Sequence, residues 1–402
     1  MDLTKTDINH LKSFCKRQKK RLFKKKCFGL QSKQVGQNFA TREPTSTSII
    51  IRILLQASKM EIFGIEFAPL NIPLKRRMQT LAAATWFVTM IAGGFVGLLF
   101  ATYLILFTPW RWITMLYLLW IWLIDKNVSQ KGGRRSYWVR DWSWWKYLKY
   151  YFPLNLERIP WVQLDPKKNY LFCCFPHGML STGPFSAFAT NVGGFTDLFP
   201  FHTPFPLTLR QHFLMPFFRE MVLGLGACDA SADSINYILG TPGGGNVAIL
   251  IVGGAAEAFN CRPGKYRLVL KHRKGFVRLA LRNGTPLVPV ISYGETDLYS
   301  QVSNPEGSTL RNIQEYLKKW LGLALAIPMG RGFFQYNYGI VPRRRPVTTL
   351  VGRPIEVEKN LEPTQEEVDK LHARFIFELT QLFEEQKHLY IKDYENIKLE
   401  IE

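Results

Sequence analysis

The sequence predicts an α/β domain built on a mixed sheet and preceded by an N-terminal helical hairpin embedded in a membrane. Three observations predict it. The stretch from Leu81 to Ile124 is apolar and carries one charge, Arg111. From about residue 160 onward, short hydrophobic runs that end in Gly or Pro alternate with segments of helical period. The net charge is +21, and the first 30 residues alone hold ten basic and two acidic side chains. A chain of 402 residues, 47% of them hydrophobic, is neither a disordered protein, a disulfide mini-protein nor a collagen-like fibre.

Four regions follow in order. Residues 1–74 form a basic cytosolic tail, nearly unbroken in charge from Lys16 to Lys26, which suits contact with an anionic leaflet. No groove-reading motif follows it, so nucleic acid is not the expected partner. Residues 75–130 form the hairpin. A crossing helix needs about 20 apolar residues, which Leu81 to Phe107 supplies. Pro109, Trp110 and Arg111 interrupt it, and Trp112 to Ile124 makes a shorter second half. Basic flanks, Lys75 to Arg77 before and Lys126, Lys131, Arg134 and Arg135 after, place both ends in the cytosol. Residues 131–158 are aromatic and basic, with Trp138, Trp142, Trp144 and Trp145 among them. They read as an interfacial helix at the headgroup level.

Residues 159–402 carry the α/β domain. Strands are expected at Tyr170–Phe175, Asn246–Val252, Leu268–Leu270, Leu287–Ser292, Leu323–Pro328 and Val347–Val351. Helices are expected at Ser181–Thr190, Ser231–Leu239, Gly275–Arg282 and Leu310–Trp320. A last helix opens at Thr364, with Glu366 and Glu367 in its first turn where negative charge suits the dipole, and runs to about His388.

His177 follows the first of these strands directly, between Pro176 and Gly178. Open α/β sheets place their sites at the carboxyl ends of strands, and an imidazole takes a proton from an alcohol near neutral pH. A lone histidine at such a position is more often structural than catalytic. Gly253 and Gly254 close another strand and are followed by Glu257, a carboxylate able to orient an imidazole or to open a helix. The TPGGGN run at 241–246 matches neither a phosphate loop nor a dinucleotide fingerprint. Lys271, Arg273 and Lys274 form a cationic run suited to phosphates, and Arg343 to Arg345 form a second. No GxSxG elbow, HExxH or CxxC occurs, so no serine hydrolase and no zinc site is expected. The six cysteines read as reduced.

A longer set of motifs resembles one family. KGGRRSYWVRDW at 131–142, YFP at 151–153, PHG at 176–178, MPFFRE at 215–220, VGGAAEAF at 252–259, RKGFVRLALRNG at 273–284, LVPV at 287–290 and GRPI at 352–355 occur in its order. The chain is similar to the diacylglycerol acyltransferase 2 family, which includes monoacylglycerol and wax-alcohol acyltransferases. The resemblance implies a mixed-sheet acyltransferase domain, with acyl-CoA as substrate, no cofactor and no metal. It implies diacylglycerol as acceptor and triacylglycerol as product, with monoacylglycerol or a long-chain alcohol as alternatives. It also implies the endoplasmic reticulum membrane, a cytosolic catalytic domain, access to lipid droplets and room for a homo-oligomer.

Carried onto this chain, the resemblance makes His177 the general base and Glu257 the group that orients His177 or the acceptor. Pro176, Gly178, Gly253 and Gly254 become the substrate and oxyanion region, and Lys271, Arg273 and Lys274 the CoA contacts. Many animal members have His where this chain has Phe175, so the first histidine is not chemically required here, and Phe175 is expected to wall the acyl path. A phospholipid-precursor acyltransferase would carry Asp four residues after its histidine, where this chain has Ser181. A non-enzymatic lipid-droplet scaffold would show no acyl-CoA turnover.

Overall fold

The structure, a computed structural model, describes residues 60–69, 71–321 and 324–402. Most of the expected basic tail therefore lies outside the described residues. The described residues fall into two units, 60–69 and 71–402. In the first, β1 (Met60–Ile62) and β2 (Ile65–Phe67) form an antiparallel hairpin, with Phe63 and Gly64 at positive φ in its turn.

The second unit opens with α1 (Leu74–Phe107), which is long and apolar enough to cross a membrane. One stripe of it, including Ala83, Trp86, Phe87 and Ala101, is buried against the rest of the unit. Gly97 allows the close approach: a Cβ there would lie 2.2 Å from the Pro216 carbonyl oxygen. The other side exposes Phe95, Leu99 and Tyr103. After the Thr108–Trp110 turn, α2 (Arg111–Leu123) has 13 residues. At a rise of 1.5 Å per residue it is about 20 Å long, short of the ~30 Å hydrocarbon core. Among the described residues α1 is the one helix both long and apolar enough to cross, so the structure supports one crossing helix and not the expected two-helix hairpin.

The base of α2 is fastened by charge. Arg219, 1% exposed, bonds Asp125 Oδ2 at 2.8 Å and Glu220 Oε1 at 2.7 Å. The Tyr117 hydroxyl donates to Glu220 and accepts the Phe217 N–H. Every charge there is answered, which is the condition for burying a guanidinium without large cost.

The segment read as interfacial splits in two. After a single turn at Tyr137–Arg140, α3 (Ser143–Tyr151) buries Trp145, Leu148 and Tyr151 in the core, and Phe152 follows them. Tyr137, Trp138 and Tyr150 face outward. So this region is half core, not an interfacial helix alone.

The body follows as β3 (Leu154–Arg158), β4 (Tyr170–Phe175), β5 (Thr203–Thr208), α4 (Phe218–Gly224), β6 (Cys228–Asp229), α5 (Ala232–Gly240), β7 (Asn246–Ile251), α6 (Gly254–Asn260), β8 (Tyr266–Leu268), α7 (Gly275–Asn283), β9 (Leu287–Tyr293), β10 (Ser300–Gln301), α8 (Thr309–Leu321), β11 (Pro328–Met329), β12 (Val347–Val351), α9 (Gln365–Tyr390) and β13 (Leu399–Ile401). Seven strands make the main sheet, in the order β3-β12-β9-β4-β7-β5-β6. β12 is antiparallel to β9 and parallel to β3; the other pairings are parallel. The sheet is mixed, as the sequence predicts.

Several elements depart from expectation for identifiable reasons. β5 carries Pro204 and Pro206, which lack the N–H a ladder uses, so its sequence does not read as a strand. The helix expected at Ser181–Thr190 is a short turn at Thr182–Pro184 followed by a π-helical stretch, Phe185–Ala189; Ser181 enters it at φ 53°. Of the strand expected at Leu323–Pro328, Leu323 lies outside the described residues, 324–327 are irregular, and only Pro328 and Met329 pair, with β10. α9 begins as expected. Thr364 and Glu367 form a reciprocal capping box.

Phe175 is not a wall of an open path. It is 1% exposed, and its ring lies 6.2 Å from Phe375 of α9, which also meets Phe276 at 5.2 Å. This aromatic cluster packs α9 and α7 onto the last residue of β4. Phe375→Ala should therefore destabilise the detergent-purified protein by about 3–5 kcal/mol, read as a lower Tm. An unchanged Tm would contradict the packing role.

Candidate active site

Three adjacent strands, β9, β4 and β7, run parallel, so their carboxyl ends share one edge of the sheet. Each is followed closely by an ionisable residue: Glu295 after β9, His177 after β4 and Glu257 after β7. Strand ends at the centre of a parallel array are where side chains converge, because both sheet faces are covered there.

Phe175–Pro176 is a cis peptide, and His177 follows it at the mouth of the strand, partly buried. Its backbone N–H donates to Glu257 Oε2 at 2.7 Å. Glu257 Oε1 accepts the Val269 N–H at 2.9 Å. A Cβ on Gly253 would stand 1.9 Å from that same oxygen, so glycine is what leaves room for the carboxylate. Glu257 thus fixes the main chain at His177. It does not touch the imidazole, which corrects the expectation that it orients the ring.

The ring is oriented by its own loop. His177 Nδ1 lies 3.1 Å from the Gly178 carbonyl oxygen. A carbonyl only accepts, so Nδ1 carries the proton in this bond and Nε2 keeps its lone pair. Burial lowers the His177 pKa, against the Gly178 bond that raises it. The imidazole is therefore neutral at physiological pH.

A second carboxylate holds the other side of the loop. Glu295 accepts the N–H of Thr182 at 2.7 Å and of Gly183 at 2.8 Å, one on each oxygen. It also packs on Gly178, at φ 58°, where a Cβ would lie 2.6 Å from Glu295 Cγ. Sequence reasoning missed Glu295; its place directly after a hydrophobic strand, like that of His177, was the available signal. Burial pushes both Glu257 and Glu295 up to about 7, against the backbone N–H groups that pull them down.

The remaining candidates divide. Gly254 opens α6 at φ 54° with open space on its Cβ side, one turn from Glu257. Arg273 is exposed, and its charge reaches Glu257, lowering that carboxyl. Lys271 is exposed as well. Lys274 is committed to an ion pair with Asp369 of α9 at 2.7 Å. Pro176 is buried in the loop between β4 and His177.

With this geometry in view, the family model described as diacylglycerol acyltransferase matches residues 103–401. The chain belongs to the diacylglycerol acyltransferase family. It is 45% identical to the 2-acylglycerol O-acyltransferase 1 of Bos taurus, covering 81% of this chain and 96% of that one. It is 42% identical to the human protein of the same name, over 83% and 99% of the two chains. It is also 42% identical to diacylglycerol O-acyltransferase 2 of Danio rerio, over 78% and 86%. In three dimensions the chain aligns with the 1-acyl-sn-glycerophosphate acyltransferase of Thermotoga maritima at a TM-score of 0.37 and 12% identity, over 79% of this chain and 99% of that one. As a member of the diacylglycerol acyltransferase family it is an acyl-CoA-dependent O-acyltransferase, and it is membrane-associated.

The two raised carboxyls have a consequence for this acyltransferase. Each is protonated in the folded protein at pH values where the unfolded chain, with an ordinary carboxyl near 4.5, is ionised. Their contribution to stability is thus complete below pH 4.5 and is lost as pH rises through about 7. The wild-type Tm should fall across that window. Glu257→Gln should flatten the fall, and an identical pH profile in wild type and variant would contradict the raised carboxyl.

Proposed function

We propose that this acyltransferase moves a fatty acyl group from acyl-CoA to a hydroxyl of 2-monoacylglycerol, forming diacylglycerol. The names of its relatives support this acceptor. Proteins called 2-acylglycerol O-acyltransferase 1 from three mammals are 41–45% identical over 81–83% of the chain. Monoacylglycerol therefore replaces diacylglycerol, the acceptor expected from sequence, as the leading reading. Diacylglycerol stands second, favoured by the zebrafish relative.

The single structural observation behind the chemistry is His177 Nδ1 set against the Gly178 carbonyl, which leaves Nε2 to act as the base, on a loop held from both sides. His177 Nε2 takes the proton of the acceptor hydroxyl as its oxygen bonds to the thioester carbonyl carbon. The tetrahedral species collapses, the C–S bond breaks, and the CoA sulfur leaves with the proton returned by His177. Backbone amides near Gly178 or Gly254 receive the developing oxyanion. Glu257 and Glu295 hold the loop and take no part in proton transfer. Lys271 and Arg273 meet CoA phosphates; Lys274 joins them only by leaving Asp369.

α1 enters the bilayer of the endoplasmic reticulum, with α2 returning in the same leaflet, so both chain ends and the catalytic body stay cytosolic. Apolar acceptors then reach the site laterally while CoA remains in water. Asn283 of the Asn283–Gly284–Thr285 sequon donates to Asn236 and to the Leu279 carbonyl, and Thr285 is buried. Its glycosylation state is therefore no guide to topology.

Three measurements test the proposal. Membranes containing the protein and labelled acyl-CoA should acylate 2-monoacylglycerol faster than diacylglycerol or a long-chain alcohol, and the reverse order would reassign the acceptor. His177→Ala should cut kcat by about 10²–10⁴ while the protein stays in carbonate-washed membranes. In the wild type, the acid limb of kcat/KM should lie below the ordinary histidine value near 6.5. Near wild-type turnover by a folded His177→Asn protein would end the general-base role.

A further inference from the structure

The run Arg343–Arg345 plays no part in the chemistry above, yet it is built into a cluster. Arg344 stacks on the Tyr151 ring, 4.6 Å from its centroid, and its Nη2 donates to Gln79 Oε1 of α1 at 2.9 Å. The Tyr151 hydroxyl is committed to the Pro342 carbonyl at 2.6 Å, which fixes that ring. Arg331 is brought alongside by an antiparallel bridge to Val341 and approaches Tyr151. Arg76, in the first turn of α1, lies close enough for its charge to act on Arg344.

Among the described residues no carboxylate pairs with Arg76, Arg331 or Arg344. Their charges repel one another, and burial and the Arg76 and Arg331 charges both disfavour the charged form of Arg344. The first turn of α1 adds to the imbalance, having no acidic residue where the helix dipole is positive. Converging guanidiniums of this kind are relieved by an anion with several acceptor oxygens.

We propose that Arg76, Arg331 and Arg344, around the Tyr151 ring, bind the phosphate of an anionic phospholipid headgroup where α1 begins. This rests on the reading that α1 enters the bilayer. The position selects a lipid. Arg76 and Gln79 lie within about one and a half turns of Leu81, where the long uncharged apolar run of α1 begins, which is the depth of a headgroup layer. The segment carrying Arg331 exposes Phe334 and Tyr338 beside it, and aromatic side chains settle at that same depth.

Full-length protein in neutral detergent, mixed with phosphatidylglycerol and phosphatidylcholine, can be read by native mass spectrometry. The wild type should retain phosphatidylglycerol in preference, and added salt should reduce that preference. Arg331→Gln with Arg344→Gln should reduce it roughly thirtyfold, as two lost basic residues at a membrane surface imply. The variant's KM for acyl-CoA in phosphatidylcholine micelles should be unchanged, which also reports its folding. Equal retention by wild type and variant would overturn the proposal. A salt-independent preference in the wild type would do so even if the variant misfolds. Displacement of phosphatidylglycerol by inorganic phosphate or CoA, or a raised acyl-CoA KM with retention intact, would assign the cluster to a soluble phosphate instead. Release of the wild type by carbonate would remove the membrane reading of α1, an outcome separate from all of these.

Discussion

Two buried carboxylates hold one loop by its main chain, and the rest of the site depends on that. Glu257 takes the His177 N–H from the β7 side, and Glu295 takes the Thr182 and Gly183 N–H groups from the β9 side. Between them β4 delivers His177 at the centre of a parallel array. Hydrogen bonds to the backbone set where the histidine stands without adding charge to its ring, so the imidazole stays neutral and keeps a lone pair at Nε2. A carboxylate on the ring itself would have raised its pKa and favoured the imidazolium. The arrangement suits a reaction whose acyl donor is already activated and whose acceptor alcohol needs only to lose a proton.

The same carboxyls make the loop costly to hold when ionised. Burial opposes their charge more strongly than the two backbone N–H groups on each, the Arg273 charge at Glu257 and the Thr182 side chain at Glu295 favour it. Gly253 and Gly178 are where side-chain volume has been given up so that these acids can approach the main chain. The aromatic packing of Phe175 on Phe375 supports the strand end from below. Stability at this edge of the sheet and positioning of the histidine are thus two results of the same contacts.

The mixed α/β architecture, the central strands and the helix that opens at Thr364 were legible because period, turn residues and acidic residues in a first turn act locally. β5 was not, since Pro204 and Pro206 hide a strand whose pairing is set by its neighbours. His177 and Glu257 were legible as strand-end residues. That Glu257 meets a backbone N–H rather than the ring depends on distances between segments 80 residues apart, which spacing does not encode. Glu295 also follows a hydrophobic strand, but that position alone does not separate it from Asp297 two residues on, and its partners Thr182 and Gly183 lie more than 100 residues away. Phe175 was misread because the side of β4 it faces is decided by α9, far along the chain. The aromatic segment at 137–152 was read as interfacial from composition, but Trp145 and Tyr151 have partners that composition cannot show. The second apolar stretch was read as an arm of a hairpin from composition alone, and its thirteen helical residues fall short of a crossing.

The central claim is the state of one imidazole, which nitrogen-15 NMR of selectively labelled protein reads directly. At neutral pH, His177 should show a protonated Nδ1 and an unprotonated Nε2, titrating below the ordinary histidine value near 6.5. An imidazolium at neutral pH, or a neutral ring with its proton on Nε2, would contradict the account.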